Sequence, residues 1–248
     1  AGRDGDMNRN EMNQFCWDDC GAAGFVIAIL FSLAAVGAAV LLMGTGPQRE
    51  LGNTRSTAAN LSKIEDAISV YTTQNIAQFL PCPADGTVTG GARGFAPAPV
   101  GGACTINAGV IPFRSLGLPE SDVTDAYGTV VTLIVDDLSL DVCAGTSGRL
   151  GNLTLFGGSQ PNALYALISH GENKRGGYMA SGTQVSVAAT AVEADNCADG
   201  SACTDPDTVS VTIGPHNDDG NSDLHFDDRV QAADSTDFDS LCLSIHGP

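Results

Sequence analysis

The clearest feature of the hydrophobic pattern is an uncharged apolar run, Gly21–Gly46, bounded by Asp18–Asp19 and Arg49–Glu50. As a helix rising about 1.5 Å per residue, it is long enough to cross the ~30 Å hydrocarbon core of a bilayer. A cleaved secretory signal would have a shorter apolar stretch, of about 7–15 residues, and a basic segment before it. Residues 1–20 are acidic instead. The pattern therefore predicts a single transmembrane helix over 21–46, after a short acidic arm over 1–20.

A helical pattern follows over Gln48–Ile76. Its apolar residues recur at spacings of three and four and form one stripe, which consists of Leu61, Ile64, Ile68 and Tyr71. Polar residues occupy the other faces, and Pro81 and Pro83 require the helix to end before them. We expect residues 47–80 to form an amphipathic helix that continues the transmembrane helix as a stem.

Short segments rich in β-branched residues follow, separated by acidic and glycine-rich turns. The predicted strands are Thr129–Val135, Leu153–Phe156, Ala163–Ser169, Gln184–Thr190 and Thr208–Ile213. Residues 81–110 are dominated by Pro, Gly and Ala and are predicted to be a loop. The fold class is therefore α+β: a long N-terminal transmembrane-plus-amphipathic helix, then a mostly antiparallel β-sheet domain with long loops over 81–248.

Composition narrows the possible functions. The formal net charge of −18 opposes nucleic-acid binding, because such binding needs Lys and Arg to displace counterions. No phosphate-binding or dinucleotide-binding glycine motif and no Gly-x-Ser-x-Gly nucleophile motif is present. The histidines are scattered, and we expect them at the surface: His170, His216, His225 and His246. An acid–base role is conceivable only for His225, which has acidic neighbours, so we expect no enzymatic activity.

The cysteines indicate the compartment. Those after the apolar run are Cys82, Cys104, Cys143, Cys197, Cys203 and Cys242. An even number of cysteines in a glycine-rich region indicates disulfides and an oxidising compartment, which predicts that the β-domain is outside the cytoplasm. Lys and Arg counts on the two sides of the apolar run do not decide the orientation.

Several cysteine pairings are open. A bond between Cys82 and Cys104 would tie the helix exit to the following segment and stabilise the fold by about 2–4 kcal/mol. Cys197 could pair with Cys203 and Cys143 with Cys242, but the connectivity stays open. Cys16 and Cys20 in the N-terminal arm could be a redox pair, metal ligands, a lipid attachment site or two unremarkable thiols.

Segments between residues 55 and 230 resemble, in order, a pseudopilin-like group of type IV pilins and type II secretion pseudopilins. They are a helix over 59–78 followed by LPCP in Leu80–Gly86, GVIPFRSLGL over Gly109–Leu118, DAYG over Asp125–Gly128, ALISHGEN over Ala166–Asn173, and FDDRV over Phe226–Val230. The resemblance implies a membrane-anchored structural subunit in a secretion or pilus filament.

The N-terminal region departs from the pilin pattern. Pilin precursors carry a basic leader, are cleaved between Gly and Phe, and have a Glu five residues into the mature chain. Gly24–Phe25 offers the processing junction, but the leader is acidic and Ile29 stands at the Glu position. That departure resembles minor, tip-located pseudopilins or a subunit that does not polymerise.

An acidic segment near the C-terminus is a candidate calcium site. Its oxygen ligands would be Asn217, Asp219, Asn221, Asp223, Asp227 and Asp228. Calcium takes about 6–8 oxygen ligands, and the resemblance also implies a calcium near the C-terminal loop. The spacing is not that of an EF-hand, and a solvated acidic turn is the alternative, because Asp, Asn and Gly are favoured in turns. The acidic segment Glu193–Asn196, together with Asp199, is a weaker candidate.

Two functions remain. The first is a minor pilin or pseudopilin, single-pass in a bacterial inner membrane, with a cytoplasmic N-terminus and a periplasmic or cell-surface domain. The second is a pilin-derived accessory subunit, leader uncleaved, packed on a resident membrane complex. In either case partners would contact the small-residue face of residues 21–46, since small residues let helices approach closely in lipid. The small residues of the run are Gly21, Ala22, Ala23, Gly24, Ala28, Ala34, Ala35, Gly37, Ala38 and Ala39.

Overall fold

A computed structural model of the chain describes residues 49–74, 79–136, 153–156, 163–186, 196, 210–212, 227–234 and 237–238. The chain divides into two units, Ala1–Gly52 and Asn53–Pro248, and apart from residues 49–52 the features below belong to the second. No helix within the described ranges is both long and apolar enough to cross a membrane. The arm 1–20 with Cys16 and Cys20, the predicted transmembrane helix 21–46 and the Gly24–Phe25 junction all lie outside these ranges.

Residues 49–74 form helix α1. Leu61, Ile64 and Ile68 of the predicted apolar stripe are fully buried, and Tyr71 is partly buried. The amphipathic prediction is therefore confirmed for this segment. Phe79 and Leu80, which the sequence analysis included in the stem, lie outside the described helix.

Eight strands are described, and they confirm an α+β architecture for this part of the chain. They are β1 (Ala108–Val110), β2 (Thr129–Val130), β3 (Thr132–Val135), β4 (Thr154–Phe156), β5 (Tyr165–Ser169), β6 (Tyr178–Met179), β7 (Ser210–Thr212) and β8 (Arg229–Ala233). The main sheet has the order β1-β3-β5-β8, and all its pairs are antiparallel. Strands β2 and β6 form an antiparallel pair, whereas β4 and β7 form a parallel one.

Strand boundaries differ from the sequence predictions at several places. The predicted strand Thr129–Val135 is divided at Val131, whose N–H donates to Val123 and whose carbonyl accepts from Ile111. The predicted loop 81–110 ends in β1, which has no alternating pattern because it reads Ala-Gly-Val. Of the predicted strand Gln184–Thr190, Gln184 forms one isolated bridge to Tyr178, residues 185–186 are not strand, and the remainder lies outside the described ranges.

Both faces of the central strands are buried. On one face, Leu133, Val135 and Leu167 belong to the cluster that contains the α1 stripe. On the other, Ile134 and Ile168 pack with Ala108, Leu153, Ala163 and Ala166. Burial on both faces explains why β3 and β5 read as continuous apolar runs. Each fully buried Leu or Ile contributes about 1.5–3 kcal/mol, so among the described residues these strands and α1 supply much of the stabilising apolar burial.

Cys82 and Cys104 form a disulfide with a Cα–Cα distance of 5.4 Å. The bond closes the loop 83–103 beside the bridge between Ala84 and Val110 on edge strand β1. This pairing agrees with the expectation from sequence. Cys143, Cys197, Cys203 and Cys242 lie outside the described ranges.

The closed loop is also held from inside by Arg93, which is nearly fully buried. Its Nε donates to Glu120 Oε1 at 3.0 Å, and its Nη2 donates to the Met179 carbonyl at 3.0 Å. The guanidinium has a fixed fork of donors, which lets one side chain satisfy carbonyls from separate segments. Arg93 therefore joins the loop to the segment that contains Glu120 and to strand β6.

Candidate functional site

The predicted calcium ligands are only partly described. Asn217, Asp219, Asn221 and Asp223 lie outside the described ranges, as do His216, His225, His246 and most of Glu193–Asp199. Asp227 and Asp228 are described and directly precede β8. Among the described residues, most of the buried polar side chains lie in this part of the domain.

Asp125 organises the turn of the DAYG segment. Its Oδ1 accepts from the backbone N–H groups of Tyr127 at 3.0 Å and Thr129 at 2.9 Å. Its Oδ2 accepts from the hydroxyls of Thr129 at 2.6 Å and Ser169 at 2.8 Å. Asp125 is 5% exposed, and a buried charge of this kind is tolerated because its oxygens are hydrogen-bonded. Asp125 thus links the turn before β2 to the end of β5.

His170 is fully buried, which corrects the expectation that it lies at the surface. Its Nε2 is 2.7 Å from Thr132 Oγ1, and its Nδ1 is 3.9 Å from Asp228 Oδ1. Burial lowers the pKa of His170 to about 4, although Asp125, the Arg175 backbone and Asp227 oppose that change. The imidazole is therefore neutral at pH 7, and the contact with Asp228 is not an ion pair there.

The turn after β5 fits closely around this histidine. Gly171 has φ +56°, and a Cβ there would lie 2.4 Å from the Asp227 carboxyl carbon. A Cβ on Gly177 would lie 2.6 Å from the His170 ring. The Asn173 N–H donates to Asp227 Oδ2 at 3.0 Å. Glycine is therefore required at both positions, and the turn is attached to the segment before β8.

Asp228 also accepts a hydrogen bond from another residue of the protein. Its Oδ2 accepts from Asn196 Nδ2 at 2.8 Å. Thus both described members of the candidate calcium set already hold a protein hydrogen bond with one carboxylate oxygen. Among the described residues, no group of three or more His, Cys, Asp or Glu is arranged to hold a metal ion.

Together these residues, most of them buried, form three neighbouring groups of polar contacts that we call the buried polar network. Its members are Asp125, Thr129, Thr132, Ser169, His170, Asn173, Asn196, Asp227 and Asp228. Three of the segments that carry the resemblance meet here: DAYG, ALISHGEN and FDDRV. The sequence analysis named Asn196 only within a weaker calcium candidate and Thr132 only within a predicted strand, because nothing in their local pattern marks them as members of this network.

The polar groups of the network form hydrogen bonds with other groups of the protein. Its hydroxyls, amides and backbone N–H groups donate to carboxylate oxygens that lie between three segments of the chain, which helps to hold those segments in place. Comparison with protein-family models, curated proteins and solved structures finds no match for this chain.

Proposed function

We propose that this chain is a membrane-anchored, pilin-like structural subunit, a minor pilin or pseudopilin of a secretion or pilus filament. In this proposal residues 21–46 span a bacterial inner membrane, and the disulfide-containing domain lies in the periplasm or at the cell surface. Neighbouring subunits contact the small-residue face of the transmembrane helix. The protein works by assembly and not by catalysis.

The observation that carries the proposal is the convergence of separate resembling segments on one buried polar network. Asp125, Ser169 and Asp227 come from three distant parts of the sequence, yet they hold adjacent turns through hydrogen bonds of about 3 Å or less. Such residues would be expected to recur together in proteins that share this domain. The Cys82–Cys104 bond supports an extracytoplasmic location for the same domain.

A second candidate is a pilin-derived accessory subunit packed on a resident membrane complex, with its leader uncleaved. The observation that favours it is Ile29, which stands where a filament-forming pilin would carry Glu. In this case the helix 21–46 would pack against helices of the host complex.

N-terminal mass spectrometry on protein from native membranes, combined with identification of cross-linked partners, separates the two. Mature protein beginning at Phe25 and cross-linked to pilin-like subunits supports the filament. An intact arm with a stable non-pilin partner supports the accessory subunit. If cleavage between Gly24 and Phe25 is needed for assembly, Gly24→Val, which blocks that cleavage, should abolish incorporation into filaments. The matched control Gly21→Val should leave incorporation unchanged. Complete extraction by alkaline carbonate would reject both, since neither proposal survives without the membrane anchor.

Calcium binding is a further part of the proposal. Chelation should lower the melting temperature, and Asp219→Ala with Asp223→Ala should remove that dependence. The matched control Asp66→Ala changes an exposed helix carboxylate and should leave it unaltered. An unchanged melting temperature on chelation would eliminate the site.

A further inference from the structure

Helix α1 carries a second pattern besides its apolar stripe. Thr57, Asn60 and Lys63 lie three residues apart and form one oblique row on the helix surface, which we call the polar row. This row contacts a single stretch of chain, residues 120–126, which leads into β2.

The contacts form a ladder in which the two segments run in opposite directions. Lys63 Nζ lies 3.4 Å from Asp122 Oδ1, and Asn60 Nδ2 donates to the Thr124 carbonyl at 2.9 Å. The hydroxyl of Thr57 accepts from the Ala126 N–H at 3.3 Å. Thr57 is almost completely buried, whereas the Lys63–Asp122 pair is exposed and contributes little energy. The two inner contacts are therefore the important ones.

We propose that the polar row is a register lock, which fixes the axial position of α1 on the β-domain. The apolar stripe cannot do this alone, because Leu and Ile side chains exchange places at modest cost. A shift of α1 by one turn, about 5.4 Å, would bring Ile64 or Ser56 to the place of Asn60. With Ile64 there, the Thr124 carbonyl would lose its partner, and a buried polar group without a partner is unfavourable.

The lock also reaches the sheet. Thr124 and Ala126 are held by the helix through their backbone groups, and the residue between them, Asp125, accepts from Ser169 at the end of β5. An axial displacement of α1 is thereby transmitted through one short turn to the buried polar network. This inference rests on the contacts of α1 and holds whether or not the protein joins a filament.

Hydrogen exchange measured by mass spectrometry on the full chain tests the lock. In Thr57→Val with Asn60→Leu, peptides from residues 49–74 and 120–128 should exchange roughly thirtyfold faster, the factor expected for two hydrogen bonds of ordinary net strength. Peptides from β3 and β5 should be unchanged. The control Ser62→Ala with Ser69→Ala alters exposed positions of the same helix and should change nothing.

Two further variants distinguish the loss of these contacts from a general folding defect. Thr57→Ser keeps the hydroxyl and should exchange like the unaltered protein, while Thr57→Val alone should give a smaller increase in the same two regions. Equal acceleration in α1, β3 and β5 would overturn the proposal, since the row would then only add to global stability. No acceleration in the double variant would overturn it as well.

Discussion

His170 should make the stability of the domain fall as the pH is lowered from neutral. The ordinary pKa of histidine is about 6.5, and burial lowers that of folded His170 to about 4. As the pH falls, the unfolded chain therefore takes up this proton before the folded chain does. Above pH 6.5 the histidine is neutral in both states and does not affect stability. Between pH 6.5 and 4 its protonation in the unfolded chain lowers the free energy of unfolding, and below pH 4 there is no further change.

The size of the effect follows from the two pKa values. Each pH unit between them corresponds to about 1.4 kcal/mol, so the interval from 6.5 to 4 gives a loss of about 3 kcal/mol. That is a large part of the roughly 5–15 kcal/mol by which a typical domain is stable. The result should be visible as a shift of the urea midpoint.

The assay compares urea unfolding of the unaltered protein and His170→Gln at pH 7, 6, 5 and 4, with chelator present. Glutamine keeps a polar group near Thr132 Oγ1 but does not titrate, so the difference between the two proteins isolates the histidine together with its coupling to Asp125 and Asp227. The unaltered protein should lose about 3 kcal/mol more than the variant. Thr132→Val, which removes the Nε2 contact and keeps the histidine, should retain most of the pH dependence. Parallel pH profiles for the unaltered protein and His170→Gln would refute the reasoning.

Three other changes have defined outcomes. Asp125→Ala removes the acceptor of four hydrogen bonds and should cost about 3–5 kcal/mol in urea unfolding, whereas Asp125→Asn keeps an acceptor for the turn and should cost about 1–2 kcal/mol; equal costs would contradict the role of the charge. Replacing both Cys82 and Cys104 by Ser should lower stability by about 3 kcal/mol and reduce the further loss that a reductant causes, and a double variant as stable as the oxidised protein would show that the bond contributes nothing. Gly171→Ala should cost at least about 1–3 kcal/mol, since it combines a positive φ with contact against Asp227, and a change below 0.5 kcal/mol, on the order of an ordinary surface substitution, would contradict this geometry.

The parts of the fold with a strong local pattern were predictable. The stripe of Leu61, Ile64 and Ile68 identified the buried face of α1, since one face of a helix must repeat every three or four residues. Strand β5 was predictable because a buried strand reads as an apolar run. Strand β8 was not, because Arg229–Ala233 is half exposed and follows two aspartates, so its sequence resembles a polar turn.

The buried polar network could be predicted only in part. The segments around Asp125, Ser169 and Asp227 were recognised one by one, but their contact depends on how distant strands pair. His170 follows a serine and precedes a glycine, which reads as the start of an exposed turn. It is buried because the backbone at Gly177 lies against its ring, and this contact cannot be predicted from the local sequence.

The disulfide has a practical consequence for locating the domain in cells. The loop 83–103 exposes Phe95, with half its surface accessible, between the two bonded cysteines. A protease that cuts after this phenylalanine leaves both fragments covalently joined, so the chain migrates as one band until it is reduced. Limited chymotrypsin treatment of intact and permeabilised cells, followed by paired gels with and without reductant, would therefore reveal in one experiment on which side of the envelope the loop lies and whether its cysteines are oxidised there.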